Sequence, residues 1–321
     1  MDATKSTKSS ANKVIATANA DNQRLDNFVR KQLGLPLSAI YRLIRKGQVR
    51  VNGGRKKPDY RLSEGDEVRL PPKAAANANK ALDIPPRVMQ RLAEACLVET
   101  EDFMVINKPA GMAVHGGSGL AWGVIDVIKS LNPQLPDLEL AHRLDRDTSG
   151  CLFLAKNRRV AQQFQQVQKQ SDFKKIYRAL LLGQWHKPKT VRHSLDTENR
   201  EEGERHVVVS DSGKTAISHF RPRATGKTSN GLGLTDMEVT LETGRTHQIR
   251  VHSAAEDHPI IGDSRYGDAV ANPKAAEIGF KRLQLHAWQL QFEWRYASGL
   301  KEHHTIKAPL DAQFLNALKD E

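Results

Sequence analysis

The sequence of 321 residues is poor in cysteine: Cys96 and Cys151 are its only two, and they form no CxxC pair. This excludes a disulfide framework, an iron–sulfur cluster and a zinc ribbon, and it is typical of a reducing compartment. No apolar run approaches the roughly 20 residues that cross a bilayer. The polar start MDATKSTKSSANK also lacks the apolar core of a signal peptide. We therefore expect a cytoplasmic protein whose two cysteines are small core residues.

Acidic residues are outnumbered by basic ones, with 37 Asp and Glu against 49 Lys and Arg, so the formal net charge is +12. The excess is uneven along the chain. Residues 1–95 hold 19 basic and 9 acidic residues, whereas residues 96–321 hold 30 and 28. A chain of this length predicts about two domains, and we expect the first third to bind a polyanion.

Two short amphipathic helices are predicted near the start of the chain. The first follows Asp21, a suitable N-cap, and the second runs from Ser38, also a suitable N-cap, to Lys46. Gly47 can take the left-handed conformation that ends a helix. The apolar stripe of the first helix is Leu25, Phe28, Val29 and Leu33, and that of the second is Ile40, Leu43 and Ile44.

A hairpin is predicted next, with strands over residues 48–51 and 67–70 and a tight turn at Asn52 and Gly53. With RLDNF, SAIYRLIRKGQVRVNGG and LSEGDEVRLP, residues 21–72 resemble the S4 RNA-binding domain. A basic helix face beside a basic loop suits a phosphate backbone, with a solvated charged face as the alternative. The predicted RNA-binding residues here are Arg42, Arg45, Lys46, Arg55, Lys56 and Lys57.

The predicted domain organisation has four parts. Residues 1–20 are predicted to be a disordered tail, residues 21–72 the S4 domain, and residues 73–95 a linker. The linker contains KAAANANKALDIPP, which has no periodicity and ends in prolines, and a short helix is expected from Arg87 to Ala95. Residues 96–321 are predicted to be the second domain.

The second domain alternates short apolar strands with helical stretches. Strands are predicted over residues 103–106 and 151–154, and a Gln-rich helix over residues 160–170. Met237, Val239 and Leu241 alternate with polar residues, as in a strand with one solvated face. The fold class expected is α+β, with a mixed, mainly antiparallel sheet.

A dense polar loop, AHRLDRDTSG over residues 141–150, lies just before the buried run CLFLA. Loops at the end of a strand commonly carry catalytic groups, although an Asp- and Ser-rich surface turn has the same composition. HRLDRDTSG resembles motif II of the RluA-type pseudouridine synthases. The strings that match this family in order are INKPAGMAVHGGSG, KKIYRALLLG, TGRTHQIRVH, HPIIGDSRYG and LHAW.

The resemblance implies an α+β enzyme that breaks the N1 glycosidic bond of a uridine in RNA and rejoins the uracil through C5, with no cofactor and no metal. Asp145 matches the catalytic aspartate, acting either as a nucleophile at C1′ or as a base at C2′. Tyr177 matches the tyrosine that packs on the uracil. Arg250 matches the basic residue that pairs with the aspartate.

A paired uridine must leave the helix before it can react. The resemblance assigns Arg143 to fill the vacated stack and His142 to contact the neighbouring phosphate, with a structural role for His142 as the alternative. HGGSG is similar to the branch of the family that acts on 23S, or large-subunit, ribosomal RNA. We therefore expect this RNA or a pre-ribosomal particle as the partner, no membrane partner, and a monomer.

Three other functions compete with this interpretation. A metal site at His247 and His252 is disfavoured because their spacing puts them on different faces of a regular element. Glycoside hydrolysis would use a second carboxylate, for which Asp147 is near Asp145. A non-enzymatic RNA-binding or ribosome-assembly protein remains the third, and a test of Asp145 separates it from an enzyme.

Overall fold

The computed structural model describes residues 12–71, 82–116, 120–199 and 205–318. The chain divides into two compact units, Met1–Asp83 and Ile84–Glu321. In these described ranges no helix has the length and apolarity that a membrane span requires.

The first unit packs two helices on a small antiparallel sheet. Its strands are β1 (Asn12–Ile15), β2 (Arg50–Val51) and β3 (Glu67–Leu70), in the order β1-β3-β2. Its helices are α1 (Leu25–Leu33) and α2 (Leu37–Arg45). The predicted apolar stripes are confirmed, because all of their residues are buried except the half-buried Leu43.

The predicted ends of these helices are only partly right. Gly47 is left-handed, as expected, with φ of 70°. Both predicted N-caps are wrong. Helix α1 begins after Arg24, and the Asp21 carboxylate instead accepts from the backbone N–H of Glu64. Helix α2 begins after Pro36, whose extended backbone sets the entry, so that Ser38 lies inside the first turn.

Two predicted boundaries need correction. Residues 12–20 are not a disordered tail, because β1 pairs with β3 and residues 18–20 form a 3₁₀ turn; residues 1–11 lie outside the described part. The end of the predicted linker belongs to the second unit. Helix α3 (Pro86–Ala93) buries Leu92 in that unit's core, and Ile84 packs against the same core. The reason is that the stretch from Ile84 is apolar at helical spacing, which residues 73–80 are not.

The second unit is built on one sheet of 11 strands, whose main path is β10-β9-β11-β12-β8-β13-β7-β5-β4, with β6 on β7 and β14 on β13. The strands up to the centre are β4 (Cys96–Glu99), β5 (Phe103–Lys108), β6 (Glu139–Leu140), β7 (Ser149–Ala155) and β8 (Lys174–Leu182). The later strands are β9 (Lys189–Asn199), β10 (Arg205–Val209), β11 (Lys214–Lys227), β12 (Gly233–Leu241), β13 (Leu285–Arg295) and β14 (Lys301–Lys307). The helices are α4 (Val124–Leu131), α5 (Arg158–Val167), α6 (Gln248–Ala255), α7 (Ala271–Glu277) and α8 (Ala312–Asn316).

The predicted fold class is confirmed. Only the short β7–β13 pairing is parallel among the described pairs, and the others are antiparallel. The predicted strands at residues 103–106 and 151–154 lie within β5 and β7, and the Gln-rich helix corresponds to α5.

Strand β7 is buried on both faces and separates two apolar cores. Leu152 and Leu154 point into the core that contains α3 and α4. Cys151 and Phe153 point into the other core, where the Phe153 ring stacks on Phe164 of α5 at a centroid distance of 3.8 Å. Side chains alternate across a strand, so a strand buried on both sides is apolar at every position. The core position predicted for Cys151 is confirmed, whereas that of Cys96 is wrong, because it lies on the exposed end strand β4.

Gly150 lies on β7 directly beside Ala287 of β13, and we expect a side chain there to be strongly destabilising. Its φ is +107°, and a Cβ would lie 2.2 Å from the carbonyl oxygen of Ala287. Gly150→Ala should lower the free energy of unfolding by about 3 kcal/mol or more. Gly299→Ala is the matched control, with φ of +89° and open space around it, so only the backbone cost of about 1 kcal/mol applies. Urea unfolding of both variants measures the difference; equal losses would contradict the close approach.

Candidate active site

The loop between β6 and β7 carries Asp145 and is held at both ends by buried residues. Leu144 is buried in the core on one side of Asp145, and Thr148 is 2% exposed on the other. The Asp145 side chain retains 18% exposure. Alternate burial along this loop therefore leaves the carboxylate at the surface of a rigid support.

Lys108, at the end of β5, ties this loop to the preceding one. Its fully buried ammonium donates to three backbone carbonyls, those of Pro109 and Met112 at 2.8 Å and that of Arg146 at 2.9 Å. Burial lowers the pKa of Lys108 to about 7, and the charges of Asp147 and Asp145 oppose this fall. Only the protonated amine has three N–H donors for three acceptors, so the contacts favour the ammonium form.

Asp145 lies in the wall of an open pocket with a volume of about 820 Å³. Six basic residues and two acidic ones are among the lining residues. The basic ones are Arg143, Lys169, Lys174, Lys175, Arg245 and Arg250, and the acidic ones are Asp145 and Glu242. This excess of positive charge suits an anionic ligand with several charges.

Tyr177, on β8, lines the same pocket and is 8% exposed. Burial, with a contribution from the negative charge of Asp145, raises the pKa of the phenol well above its usual value. The hydroxyl therefore stays protonated at neutral pH, and the ring presents an apolar surface beside the carboxylate. An apolar ring and a carboxylate together can hold a planar base and act on the group attached to it.

Arg250, on α6, lies within ion-pair distance of Asp145, with 3.8 Å between Nη1 and Oδ2. Its hydrogen bonds, however, go to Asp263: Nε and Nη2 each donate to one carboxylate oxygen at 2.7 Å. Burial opposes ionisation of Asp263, but the hydrogen bonds and charge of Arg250 outweigh it and lower the pKa of Asp263. Burial acts to lower the pKa of Arg250, but the hydrogen bonds and charge of Asp263 raise it overall. The geometry brings Arg250 to Asp145, as predicted, and adds Asp263 as its principal partner.

His247 is a second neighbour of Asp145, with 3.9 Å between Nε2 and Oδ2. The hydroxyl oxygen of Tyr266 accepts from the backbone N–H of Val207 and is also hydrogen-bonded to Nδ1 of His247, 2.8 Å away. Nε2 is the ring nitrogen that faces Asp145. Burial lowers the pKa of His247, partly opposed by Asp145, so the imidazole is neutral at pH 7.

The turn before α6 is fixed by the buried amide of Gln248. Its oxygen accepts from Thr243 and from the backbone of Arg245, and its nitrogen donates to Ile217 and Ser218. His247, the next residue back, is left-handed with φ of 53°. A non-glycine residue in this region needs support from its surroundings, which Gln248 and Tyr266 supply.

The two residues predicted to contact RNA beside Asp145 have different surroundings. Arg143 is exposed at the pocket and can reach a ligand. His142 accepts from the backbone N–H of Phe153 through Nε2 at 2.9 Å. Burial, and then the charge of Lys175, lower the pKa of His142 well below its usual value. An uncharged imidazole already bonded to the backbone favours the structural alternative for this histidine.

The predicted basic surface of the first unit is exposed throughout. All six residues, Arg42, Arg45, Lys46, Arg55, Lys56 and Lys57, have exposed side chains. The Arg55 guanidinium lies against Gly47 at the end of α2, since a Cβ on Gly47 would be 2.6 Å from Nε. This contact brings the basic loop to the basic end of the helix.

The histidines weighed as metal ligands lie in different environments. His252 is fully buried beside the His193 ring, whereas His247 faces Asp145. Among the residues with described placement, no group of three or more His, Cys, Asp or Glu side chains has a geometry suited to a metal ion.

The residues that sequence reasoning missed all lie in strings that it had singled out. Lys108 is in INKPAGM, His247 in TGRTHQIRVH, and Asp263 and Tyr266 in HPIIGDSRYG. For Asp263 the signal is charge balance, because a buried Arg250 requires a carboxylate partner.

Family models match two parts of the chain. Residues 102–255 match the model described as RNA pseudouridylate synthase, and residues 23–68 match the S4 domain. Curated relatives match nearly the whole chain. Ribosomal large subunit pseudouridine synthase C of Escherichia coli strain K12 is 43% identical over 93% of each chain. The protein of that name in Haemophilus influenzae is 41% identical over 89% of this chain and 88% of the relative.

Solved structures share the fold over most of the chain. Human RNA pseudouridylate synthase domain containing 1 aligns with a TM-score of 0.54 and 27% identity, covering 70% of this chain and 85% of that one. Human RNA pseudouridylate synthase domain containing 4 aligns with a TM-score of 0.56 and 25% identity, covering 73% and 95%.

The Arg250–Asp263 pair is expected to support both the stability and the activity of the site. Asp263→Asn leaves a buried guanidinium without its counter-charge, and should lower the free energy of unfolding by about 3 kcal/mol. It should also lower turnover, because Arg250 is then drawn to Asp145. Glu293→Gln removes a carboxylate from an exposed pair with Lys301 and should change little. Urea unfolding and turnover of both variants provide the test, and equal stability of the two would contradict the role of Asp263.

Proposed function

The chain belongs to the RNA pseudouridylate synthase family, and from this we propose that it isomerises particular uridines of 23S ribosomal RNA to pseudouridine without a cofactor. The observation that carries the proposal is the position of Asp145. Its carboxylate lies beside Arg250 and the Tyr177 ring in a pocket with a basic lining. The relatives named ribosomal large subunit pseudouridine synthase C match almost the whole chain, including the S4 domain.

Asp145 is the catalytic residue of the proposed reaction. As a carboxylate it acts on the ribose of a flipped uridine, either as a nucleophile at C1′ or as a base at C2′. The N1–C1′ bond breaks, the uracil turns, and the C5–C1′ bond forms; C5 loses a proton and N1 gains one. Product and substrate have the same atoms, so the reaction consumes no other reactant.

Tyr177 and Arg250 support this chemistry in different ways. The neutral Tyr177 ring packs on the uracil and keeps it close to C1′ while it turns. The guanidinium of Arg250 lies 3.8 Å from the Asp145 carboxylate and orients it by charge attraction. Its two hydrogen bonds to Asp263 leave the oxygens of Asp145 able to reach the sugar. Arg143, exposed beside the pocket, enters the stack that the flipped uridine leaves.

The S4 domain captures the RNA in this proposal. Its basic surface lies on α2 and the following loop, and it contacts phosphates without reading bases. The second unit then supplies the pocket for one uridine. This division agrees with the excess of 10 positive charges that residues 1–95 hold over their acidic residues.

Loss of the Asp145 charge is expected to abolish modification of 23S ribosomal RNA. Chemical mapping should show pseudouridines that disappear when the gene is deleted and return with the wild-type gene. Asp145→Asn should fail to restore them and slow the purified enzyme by at least about 100-fold.

Asp147→Asn is the matched control, because Asp147 lies in the same loop but does not line the pocket. It should restore the modification. If no 23S site changes on gene deletion, the proposed substrate is wrong. Normal modification by Asp145→Asn would instead refute the enzyme assignment and favour an RNA-binding assembly protein.

The basic surface of the S4 domain should set the salt dependence of RNA binding. Arg42→Gln with Arg45→Gln should weaken binding and lower the slope of log K against log salt by about 1 for each phosphate that the domain no longer neutralises. Arg30→Gln with Lys31→Gln removes the same charge from the exposed end of α1 and serves as the control. Titration of a 23S fragment at several salt concentrations measures both slopes. Equal slopes would show that the surface acts only through net charge.

A further inference from the structure

Lys175 lies in the pocket two residues before Tyr177 on β8. Side chains at positions i and i+2 of a strand share a face, and both of these residues line the pocket. The Lys175 ammonium donates to the Oε1 oxygen of Gln168 at 2.5 Å and lies 5.3 Å from the centre of the Phe173 ring. The amine is therefore held in one position beside the site of reaction.

This ammonium has no carboxylate partner in the parts of the chain that the structure describes. None of their ion pairs includes Lys175, and Gln168, its hydrogen-bond partner, is neutral. Burial alone lowers the pKa of Lys175 to about 8, without an acidic neighbour to oppose it. A charge that is removed from water is normally paired. One hydrogen bond to Gln168 leaves two N–H donors of the ammonium for a ligand.

The neighbours of Lys175 favour an anion as that ligand. His142 is uncharged and its Nε2 is occupied by the backbone of Phe153, so it does not compete as a cation. Arg143 and Lys169 are further basic residues of the same pocket. An RNA strand that places a uridine against Tyr177 also brings a phosphate on each side of that nucleotide. A fixed ammonium near the base is a suitable partner for one of them.

We propose that Lys175, held by Gln168, binds a backbone phosphate adjacent to the flipped uridine. This inference rests on the proposed function, and it moves to Lys175 the phosphate contact that sequence reasoning gave to His142. The phosphate supplies the counter-charge that the protein does not.

The test uses the full-length enzyme and a short stem-loop RNA that contains one mapped target uridine. Single-turnover rates at increasing RNA concentration separate the half-saturating concentration from the maximal rate. Lys175→Met keeps the length of the side chain without its charge, and should raise the half-saturating concentration by about 10- to 100-fold. The maximal rate should change much less. Lys175→Arg should restore most of the affinity, and Lys227→Met, an exposed lysine outside the pocket, should resemble the wild type.

A neutral phosphate analogue identifies the contact directly, and its effect on the wild-type enzyme does not depend on the folding of a variant. A methylphosphonate is placed on either side of the target uridine in turn. At one of the two positions it should weaken wild-type binding by the factor seen for Lys175→Met, and Lys175→Met should lose no further affinity on that RNA. A further loss of the same size at both positions, or a lower maximal rate with unchanged half-saturation, would overturn the inference. Wild-type enzyme that modifies no 23S uridine would instead refute the proposed function first, and the inference with it.

Discussion

The buried pair of Arg250 and Asp263 is the interaction on which the site depends. A positive neighbour attracts and orients a carboxylate, but a bidentate arginine would occupy both of its oxygens. In this site the bidentate partner of Arg250 is Asp263, which accepts from Nε and from Nη2 at 2.7 Å each. Asp145, at 3.8 Å, is left with the attraction of the charge and with free oxygens. Because Asp263 is 1% exposed, the arrangement is protected from water.

The position of Asp145 follows from the core beneath it. Strand β7 is buried at every position because two cores pack on its faces, so it cannot slide by one residue without exchanging them. The loop before it is fixed by Leu144 in one core and by Lys108, which reaches the backbone of Arg146 from β5. A carboxylate mounted in this way can be held to within the small tolerance that chemistry requires.

Sequence reasoning predicted the fold class and most of the elements correctly. Through resemblance it also selected Asp145, Tyr177 and Arg250, which the structure places around one pocket. Periodicity found the stripes of α1 and α2 because burial repeats at a local spacing. It failed at Asp21 and Ser38, where the helix start is decided by an extended residue that no periodicity marks. Arg250 and Asp263 are 13 residues apart, and they meet only because the chain turns back between them. The spacing of residues in the sequence does not predict such a contact.

The charge of the second unit shows why a net value hides a binding site. Residues 96–321 are almost balanced, yet the pocket lining has six basic residues against two acidic ones. Most acidic residues of the unit lie elsewhere, many in ion pairs such as Arg178–Asp236 and Lys156–Glu99. Pairing reduces the contribution of those charges to the outer field, whereas cations outnumber anions in the pocket lining. Lys175 is the clearest example of such a pocket cation: it is half-buried, and none of the described carboxylates pairs with it. The domain can therefore be nearly neutral and still attract a polyanion to one place.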